Sequence, residues 1–204
     1  PWVQAADPTT GNAVWVPAST LIPAVYAFND NSTEAWFAPA GFNRGGLSTV
    51  VRAERKLTQG DRDTLYQGNV NPIATFPNQG VVVFGQKTLN ITSSAMDRVN
   101  VARLVVYIRR QLDRLVKPYL FEPNDQQTRN EVKKQVESFF SELVSLRALY
   151  DFLVVCDSTN NTGEVVDRNE FVADIFIKPA RSINFITLNF VAARSGINFS
   201  EIGG

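Results

Sequence analysis

The sequence predicts an α+β domain, with two long helices packed on one mixed β-sheet and an extended C-terminal strand or arm. Two stretches repeat apolar residues every three or four positions, as amphipathic helices do. Short runs rich in β-branched residues surround them, in the order strand, helix, helix, strand, strand, strand. A chain of 204 residues can bury roughly 70% of the surface that its unfolded form exposes. The fold therefore needs no disulfide or metal ion to hold it together.

The first strand and the first long helix lie in the middle of the chain. GVVVFGQKTL, residues 80–89, is a β-branched run bounded by glycine, which is typical of a buried strand. A helix then runs from Asn100 to about Pro118, where proline ends it. Its apolar face consists of Val101, Leu104, Val105, Ile108, Leu112, Leu115 and Val116.

The second helix is predicted from about Asp125 to Leu149. FEPND, which precedes it, offers Glu122 and Asp125 as candidate catalytic acids, but the pattern favours a helix start. Asn124 before the helix and Gln127 at its third position resemble a capping box. The buried stripe is expected to consist of Val132, Val136, Phe139, Phe140, Leu143 and Leu146.

The C-terminal part supplies the remaining strands. DFLVVCD, residues 151–157, predicts a buried strand, and two more extended runs follow, separated at Lys178 and Pro179. The last run is apolar on both faces, which favours cover on both sides. Its residues are Ile183, Phe185 and Val191 on one face, and Ile186, Leu188 and Phe190 on the other. The tail after it carries Ile197, Phe199 and Ile202, which we expect to occupy a groove on this chain or on a neighbour by strand addition.

Residues 1–80 form a segment rich in proline, glycine, asparagine and alanine. Prolines 17, 23 and 39 predict turns and short extended pieces there, with one short helix at Gln59–Gln67. We therefore expect three parts: an irregular segment, 1–80, that wraps the core; an α+β core domain, 81–195; and a C-terminal arm, 196–204.

The composition argues against most enzyme chemistry and against cofactors. The chain has no histidine, the usual neutral-pH base and zinc ligand, and a single cysteine, Cys156, in an apolar context. The remaining enzyme alternative is a hydrolase with two facing carboxylates. Residues 157–170 do not fit a calcium loop, because Thr162 and Arg168 stand where glycine and glutamate are needed. A polar loop is favoured there, with a weak cation site as the alternative.

Basic residues repeat at helical spacing on the outer side of the first long helix. Twenty basic and twenty acidic residues cancel over the whole chain, so bulk charge does not favour nucleic acid as a partner. Such a stripe is most often a solvated helix face, and the functional alternative is docking on an acidic protein surface. The stripe consists of Arg103, Arg110, Arg114 and Lys117, with Tyr107 among them.

Several segments, taken in order, resemble the C-terminal domain of contractile tail sheath proteins of T4-like myovirus phages. These are VPASTLIPAVYAFND, AWFAPAG, NVNPIATFPNQGVVVFGQKTL, NVARLVVYIRRQL, FEPND and IKPARSINFITLNF, spread over residues 14–190. One departure is that LIPAVYAFND lacks the glycine motif that many sheaths carry before the tyrosine. Since sheath proteins are usually longer, we expect this chain to be a C-terminal portion.

The resemblance implies a structural subunit of the virion that assembles in the host cytoplasm. Sheath subunits stack as six-fold rings around a tail tube and shorten to drive the tube through the host envelope for genome delivery. The implied partners are other copies, the tail tube protein, and baseplate and terminator proteins, without catalysis, cofactor, nucleic acid or membrane insertion.

The resemblance also assigns roles to the two candidate surfaces. In this family the C-terminal domain lies near the tube, and terminal arms add strands to the sheet of an adjacent subunit. The stripe Arg103, Arg110, Arg114 and Lys117 would then face the tube, and residues 183–191 with the tail would contact a neighbouring subunit. The alternative is a phage baseplate or receptor-binding module that shares the sheath-like domain.

Overall fold

A computed structural model describes residues 2–184, 186 and 188. In this part of the chain there are seven strands and five α-helices. The strands are β1 (Trp2–Ala6), β2 (Ala13–Pro17), β3 (Val50–Ala53), β4 (Ile73–Phe76), β5 (Gly80–Val83), β6 (Leu149–Val155) and β7 (Asp174–Pro179). The helices are α1 (Ile22–Ser32), α2 (Gln59–Gln67), α3 (Val99–Val116), α4 (Gln126–Ser145) and α5 (Gly163–Asp167). The predicted α+β class is confirmed.

The described strands lie in three small antiparallel sheets, and this corrects the expectation of one mixed sheet. The strand orders are β2-β1-β3, β4-β5 and β6-β7. Two of the sheets are simple pairs in which each strand meets the next strand along the chain. Short antiparallel pairing of this kind needs no crossover connection, whereas a parallel pair would.

The N-terminal core lies between the first sheet, α1 and the β4–β5 pair. Its buried members are Val3, Ala18, Val25, Leu47, Ile73, Val81 and Val83. The prediction of only turns and extended pieces around Pro23 is wrong, because α1 begins one residue earlier, at Ile22. Proline in the first turn removes no intrahelical hydrogen bond, so Pro23 starts this helix and does not break it.

The larger core lies where α3 and α4 pack against β6. Leu104 and Ile108 of α3 meet the predicted stripe of α4, and Phe140 is completely buried at its centre. The Phe140 ring lies 5.3 Å from that of Phe139 and 5.4 Å from that of Phe152, between ring centroids. The apolar spacing therefore predicts the buried faces of both helices except at their C-terminal ends. Leu146, expected in the buried stripe, lies beyond α4 and is 40% exposed, and Val116 at the end of α3 is 37% exposed.

Both ends of α4 differ from the prediction. Its N-cap is Asp125 and not Asn124, because the Asp125 carboxylate accepts a hydrogen bond from the Thr128 backbone N–H at 2.8 Å. The helix stops at Ser145, four residues before the expected end. Arg147 has a φ of 64° there, and the Ala148 N–H bonds to the Leu143 carbonyl, which makes a Schellman end.

Polar contacts join the two cores. The Trp36 indole donates to the Leu146 carbonyl at 3.2 Å, so the segment after α1 is fixed to the end of α4. The Asn100 side chain, at the start of α3, donates to the Trp36 carbonyl at 3.3 Å, and its backbone N–H donates to Gln86 Oε1 at 3.2 Å. None of the described helices has both the length and the apolar character to cross a bilayer.

Candidate interaction surface

The outer face of α3 carries the exposed part of the basic stripe. Because Val101, Leu104 and Ile108 face the core, the opposite side of the helix is open to solvent. Arg110, Arg114 and Lys117 are exposed, and the neighbouring Arg109, which the sequence reasoning did not include, is exposed too. None of these four has an ion-pair partner within the described residues. Their charges are therefore available to a partner.

Arg103 lies on the same helix but has a different role. Its Nη2 atom lies 2.6 and 2.8 Å from the two carboxylate oxygens of Asp30, and its guanidinium stacks 4.8 Å from the Tyr26 ring centre. Tyr107 packs edge-on against Trp36, with 5.3 Å between ring centroids. The N-terminal half of the predicted stripe thus holds α1 and its following loop to α3. Helical spacing alone could not show this, since Asp30 lies 73 residues away.

The polar residues around the start of α4 are used in local structure. The Thr128 N–H lowers the pKa of Asp125, because its hydrogen bond favours the ionised carboxylate. The Asn124 side chain donates to the Glu170 carbonyl at 2.7 Å and accepts from the Arg129 guanidinium at 3.1 Å. The interpretation of FEPND as a helix start is confirmed, although the capping residue differs.

The loop after β6 is an internally hydrogen-bonded turn. Asn161 is buried and donates to the Val172 carbonyl at 2.8 Å, while its own oxygen accepts from the Val172 N–H at 2.8 Å. The side chain and backbone N–H of Thr159 bond to Asp157 and lower the pKa of that carboxyl. Within the described residues, no group of three or more His, Cys, Asp or Glu side chains could hold a metal ion.

Cys156 is buried at the end of β6, as its apolar neighbours predict. Burial raises the pKa of its thiol, because the apolar surroundings disfavour the thiolate. Its role in the structure is that of a small core side chain.

The segment after β7 presents apolar side chains to solvent. Ile183, Ile186 and Leu188 are 80%, 77% and 70% exposed, and these three positions carry no strand assignment in the described chain. At the base of the segment, the Gln86 side chain hydrogen-bonds to the Ser182 hydroxyl. Six predicted contact residues lie outside the described residues: Phe185, Phe190, Val191, Ile197, Phe199 and Ile202.

The β6–β7 pair leaves one edge of each strand without a strand partner in the described chain. On its outer face, Leu153 stands opposite Phe176, and both are more than half exposed. Beside them, Lys178 pairs with Asp151 at 3.1 Å. An open edge with an apolar face beside it is the geometry to which an extended segment can add as a further strand.

The chain belongs to the phage tail sheath C-terminal domain family, whose sequence profile matches residues 92–193, half of its length. It is 46% identical over 190 residues to the tail sheath protein of Vibrio phage KVP40. The aligned region covers 93% of this chain and 28% of the phage protein. It is 42% identical to the tail sheath protein of Enterobacteria phage T4, and that aligned region covers 93% of this chain and 29% of the T4 protein. The chain thus spans less than a third of the length of these relatives. The resemblance found in the sequence is confirmed.

Solved structures show the same fold. The sheath complex of an extracellular contractile injection system in the contracted state superposes with a TM-score of 0.84, at 25% identity, over 95% of this chain and 55% of that one. The helical sheath of the anti-feeding prophage in its contracted state gives a TM-score of 0.81 at 24% identity. The superposed region covers 95% of this chain and 54% of the prophage chain.

Proposed function

We propose that this chain is the C-terminal portion of a contractile tail sheath subunit. In this proposal the subunits stack as six-fold rings around a tail tube, and the rings shorten to drive the tube through the host envelope. The observation that carries it is the 46% identity to a tail sheath protein over nearly the whole chain. The role is structural and force-transmitting, without a catalytic step, and assembly takes place in the host cytoplasm.

The C-terminal segment is proposed as the contact with a neighbouring copy. Ile183, Ile186 and Leu188 are apolar and exposed, which favours burial against another subunit. The open β6–β7 edge of an adjacent copy is the proposed acceptor, since main-chain hydrogen bonds there would be completed by an added strand. The division of the chain into a wrapping segment, 1–80, a core domain, 81–195, and a C-terminal arm, 196–204, belongs to this proposal. The arm is the part that is exchanged between copies.

The exposed half of the basic stripe is proposed as the contact with the tube. Arg110, Arg114 and Lys117 lack ion-pair partners in the described chain and lie on one helix face, so an acidic surface would complement them. Arg103 contributes to this surface only indirectly, because its guanidinium is already paired with Asp30. Baseplate and terminator proteins would bind at the ends of the assembled sheath.

Electron microscopy of the purified chain, whole and without residues 182–204, tests the proposal. The truncation leaves every described strand and helix intact, because β7 ends at Pro179. We expect striated tubes or six-fold rings from the whole chain and their loss on truncation. Small closed oligomers from both forms would instead support a baseplate or receptor-binding module.

A double substitution, Arg110→Glu with Arg114→Glu, tests the tube contact separately. Both side chains are exposed, so the fold should be unchanged while decoration of tail tubes weakens. Arg103→Glu is a poor substitute, because it would also break the contact with Asp30. Normal decoration by the double variant would remove the basic stripe from the proposal.

A further inference from the structure

The loop between α3 and α4 exposes two apolar side chains at its tip. Leu120 is 62% exposed and Phe121 is completely exposed. Phe121 also has a φ of 74°, in the left-handed region that glycine or asparagine adopts more readily. Neither its backbone conformation nor its exposure favours phenylalanine at this position.

The loop is held firmly on both sides of this tip. Before it, the Tyr119 hydroxyl accepts a hydrogen bond from the Gln135 side chain at 2.7 Å. After it, Asn124 donates to the Glu170 carbonyl at 2.7 Å, and Pro118 and Pro123 restrict the backbone on either side. A side chain held out in this way loses little freedom when it binds, because the loop is already ordered.

Basic side chains precede the tip along the chain, and acidic side chains lie among and after them. Arg110, Arg114 and Lys117 precede it at the end of α3, where Asp113 is the acid of the last turn. Glu122 follows the tip, and the next acid, Asp125, is bound to the helix start through the Thr128 N–H. Aromatic and arginine side chains together are the composition of the energetic centre of many protein interfaces.

We propose that Leu120 and Phe121 are the apolar anchor of the basic surface, and that they insert into an apolar depression rimmed by carboxylates on the tail tube wall. This rests on the proposed function and adds the chemistry of the partner's site. The cations attract and orient the acidic wall, while the Phe121 ring supplies short-range apolar contact. A residue that opposes the local backbone preference is explained if it is used in binding.

Sedimentation of the 204-residue chain with preassembled tail tubes of phage KVP40 tests this inference. The variants are Phe121→Gly and Phe121→Asn, which both suit a left-handed φ and should unfold at the same or a higher temperature than the unaltered chain. We expect each to weaken tube binding at least tenfold. Leu89→Ser is the matched control, because Leu89 is as exposed but lies before the opposite end of α3, and it should bind as the unaltered chain does.

Salt dependence separates the anchor from the charges. The Phe121 variants should keep the slope of binding against salt concentration, whereas Arg110→Glu with Arg114→Glu should reduce it. Unchanged tube binding by Phe121→Gly would overturn the anchor and leave the proposed function standing. If Phe121→Gly binds tubes normally but no longer self-assembles, Phe121 contacts a neighbouring copy, and the proposed anchor on the tube is also overturned. If the unaltered chain neither assembles nor binds tubes, the proposed function fails together with the anchor.

Discussion

Arg103 and Asp30 form the ion pair that joins α3 to α1. One guanidinium nitrogen, Nη2, lies 2.6 and 2.8 Å from the two carboxylate oxygens, and the Tyr26 ring stacks on the same guanidinium. The Arg103 side chain is 21% exposed and that of Asp30 is 42% exposed. The pair therefore lies between a buried and a surface ion pair, and it connects the two apolar cores.

A double-mutant cycle with Arg103→Ala and Asp30→Ala should show this connection. We expect a coupling free energy of about 0.5–1 kcal/mol, since partial exposure screens the charges, and a further loss for Arg103→Ala from the Tyr26 stacking. Urea unfolding measures both. Arg110→Ala is the control and should change the free energy of unfolding by less than about 0.5 kcal/mol. Equal effects of the two arginine variants would contradict the assignment.

Phe140→Ala should destabilise the larger core strongly. Phe140 is completely buried and packs between Phe139 and Phe152, so its removal leaves a cavity. The expected loss is about 3–5 kcal/mol in the free energy of unfolding, measured by chemical denaturation. Leu89→Ala, at an exposed position, should have little effect. A loss below about 1 kcal/mol for Phe140→Ala would mean that the core collapses around the gap.

Arg147→Gly should stabilise the protein. Arg147 has a φ of 64° at the end of α4, a conformation that costs an L-residue about 1 kcal/mol and glycine almost nothing. Part of the gain is lost with the stacking of Arg147 over Phe37 at 6.0 Å, so we expect a net gain of about 0.5 kcal/mol. Thermal unfolding shows whether Arg147→Gly raises or lowers the melting temperature. Arg147→Ala, which keeps the backbone strain, should not stabilise.

From neutral pH downward, stability should depend on pH only in the acid range. Hydrogen bonds from the Thr58 side chain, the Thr128 N–H and the Thr159 side chain lower the pKa of Asp61, Asp125 and Asp157 respectively. Each of these carboxyl groups has a lower pKa in the folded protein than its unfolded value of about 3.9. Its hydrogen bond therefore stabilises the fold fully at any pH above the unfolded pKa. This stabilisation is lost as the pH falls through the folded value.

Without histidine, the melting temperature should be nearly flat between about pH 5.5 and 8. It should then fall below about pH 4. Asp125→Asn, which keeps a capping side chain but cannot ionise, should show a shallower fall. A steep change near neutral pH would show that another group controls stability.

The sequence alone predicts the existence and the central buried face of both long helices, because their apolar spacing is strong, but it does not give the ends of α4. Val101, Leu104 and Ile108 face inward as the spacing predicts, and α2 begins and ends where it was expected. The whole of α1 is absent from the prediction, because Pro23 was expected to break a helix although it occupies the first turn of one. A single proline does not show which end of a helix it marks.

The candidate surface was predicted only in part. Helical spacing places Arg103 and Arg110 on one face, but it gives no information about a partner in another element. Asp30 forms an ion pair with Arg103, whereas Arg110 has no ion-pair partner in the described chain. The exposure of Phe121 could not be predicted either, since an aromatic residue before a helix is usually expected to pack.

Trp36 has a consequence for the order in which the protein folds. Among the buried members of the larger core in the described part of the chain, it alone comes from before residue 100, while the others fall within residues 104–154. Contacts that are close in sequence form quickly, whereas Trp36 must reach Leu146 across 110 positions. During synthesis the indole leaves the ribosome well before α4 exists, because the N-terminal part emerges first. In a variant with Trp2 and Trp15 replaced by phenylalanine, Trp36 fluorescence should therefore report the last docking step of a newly made chain.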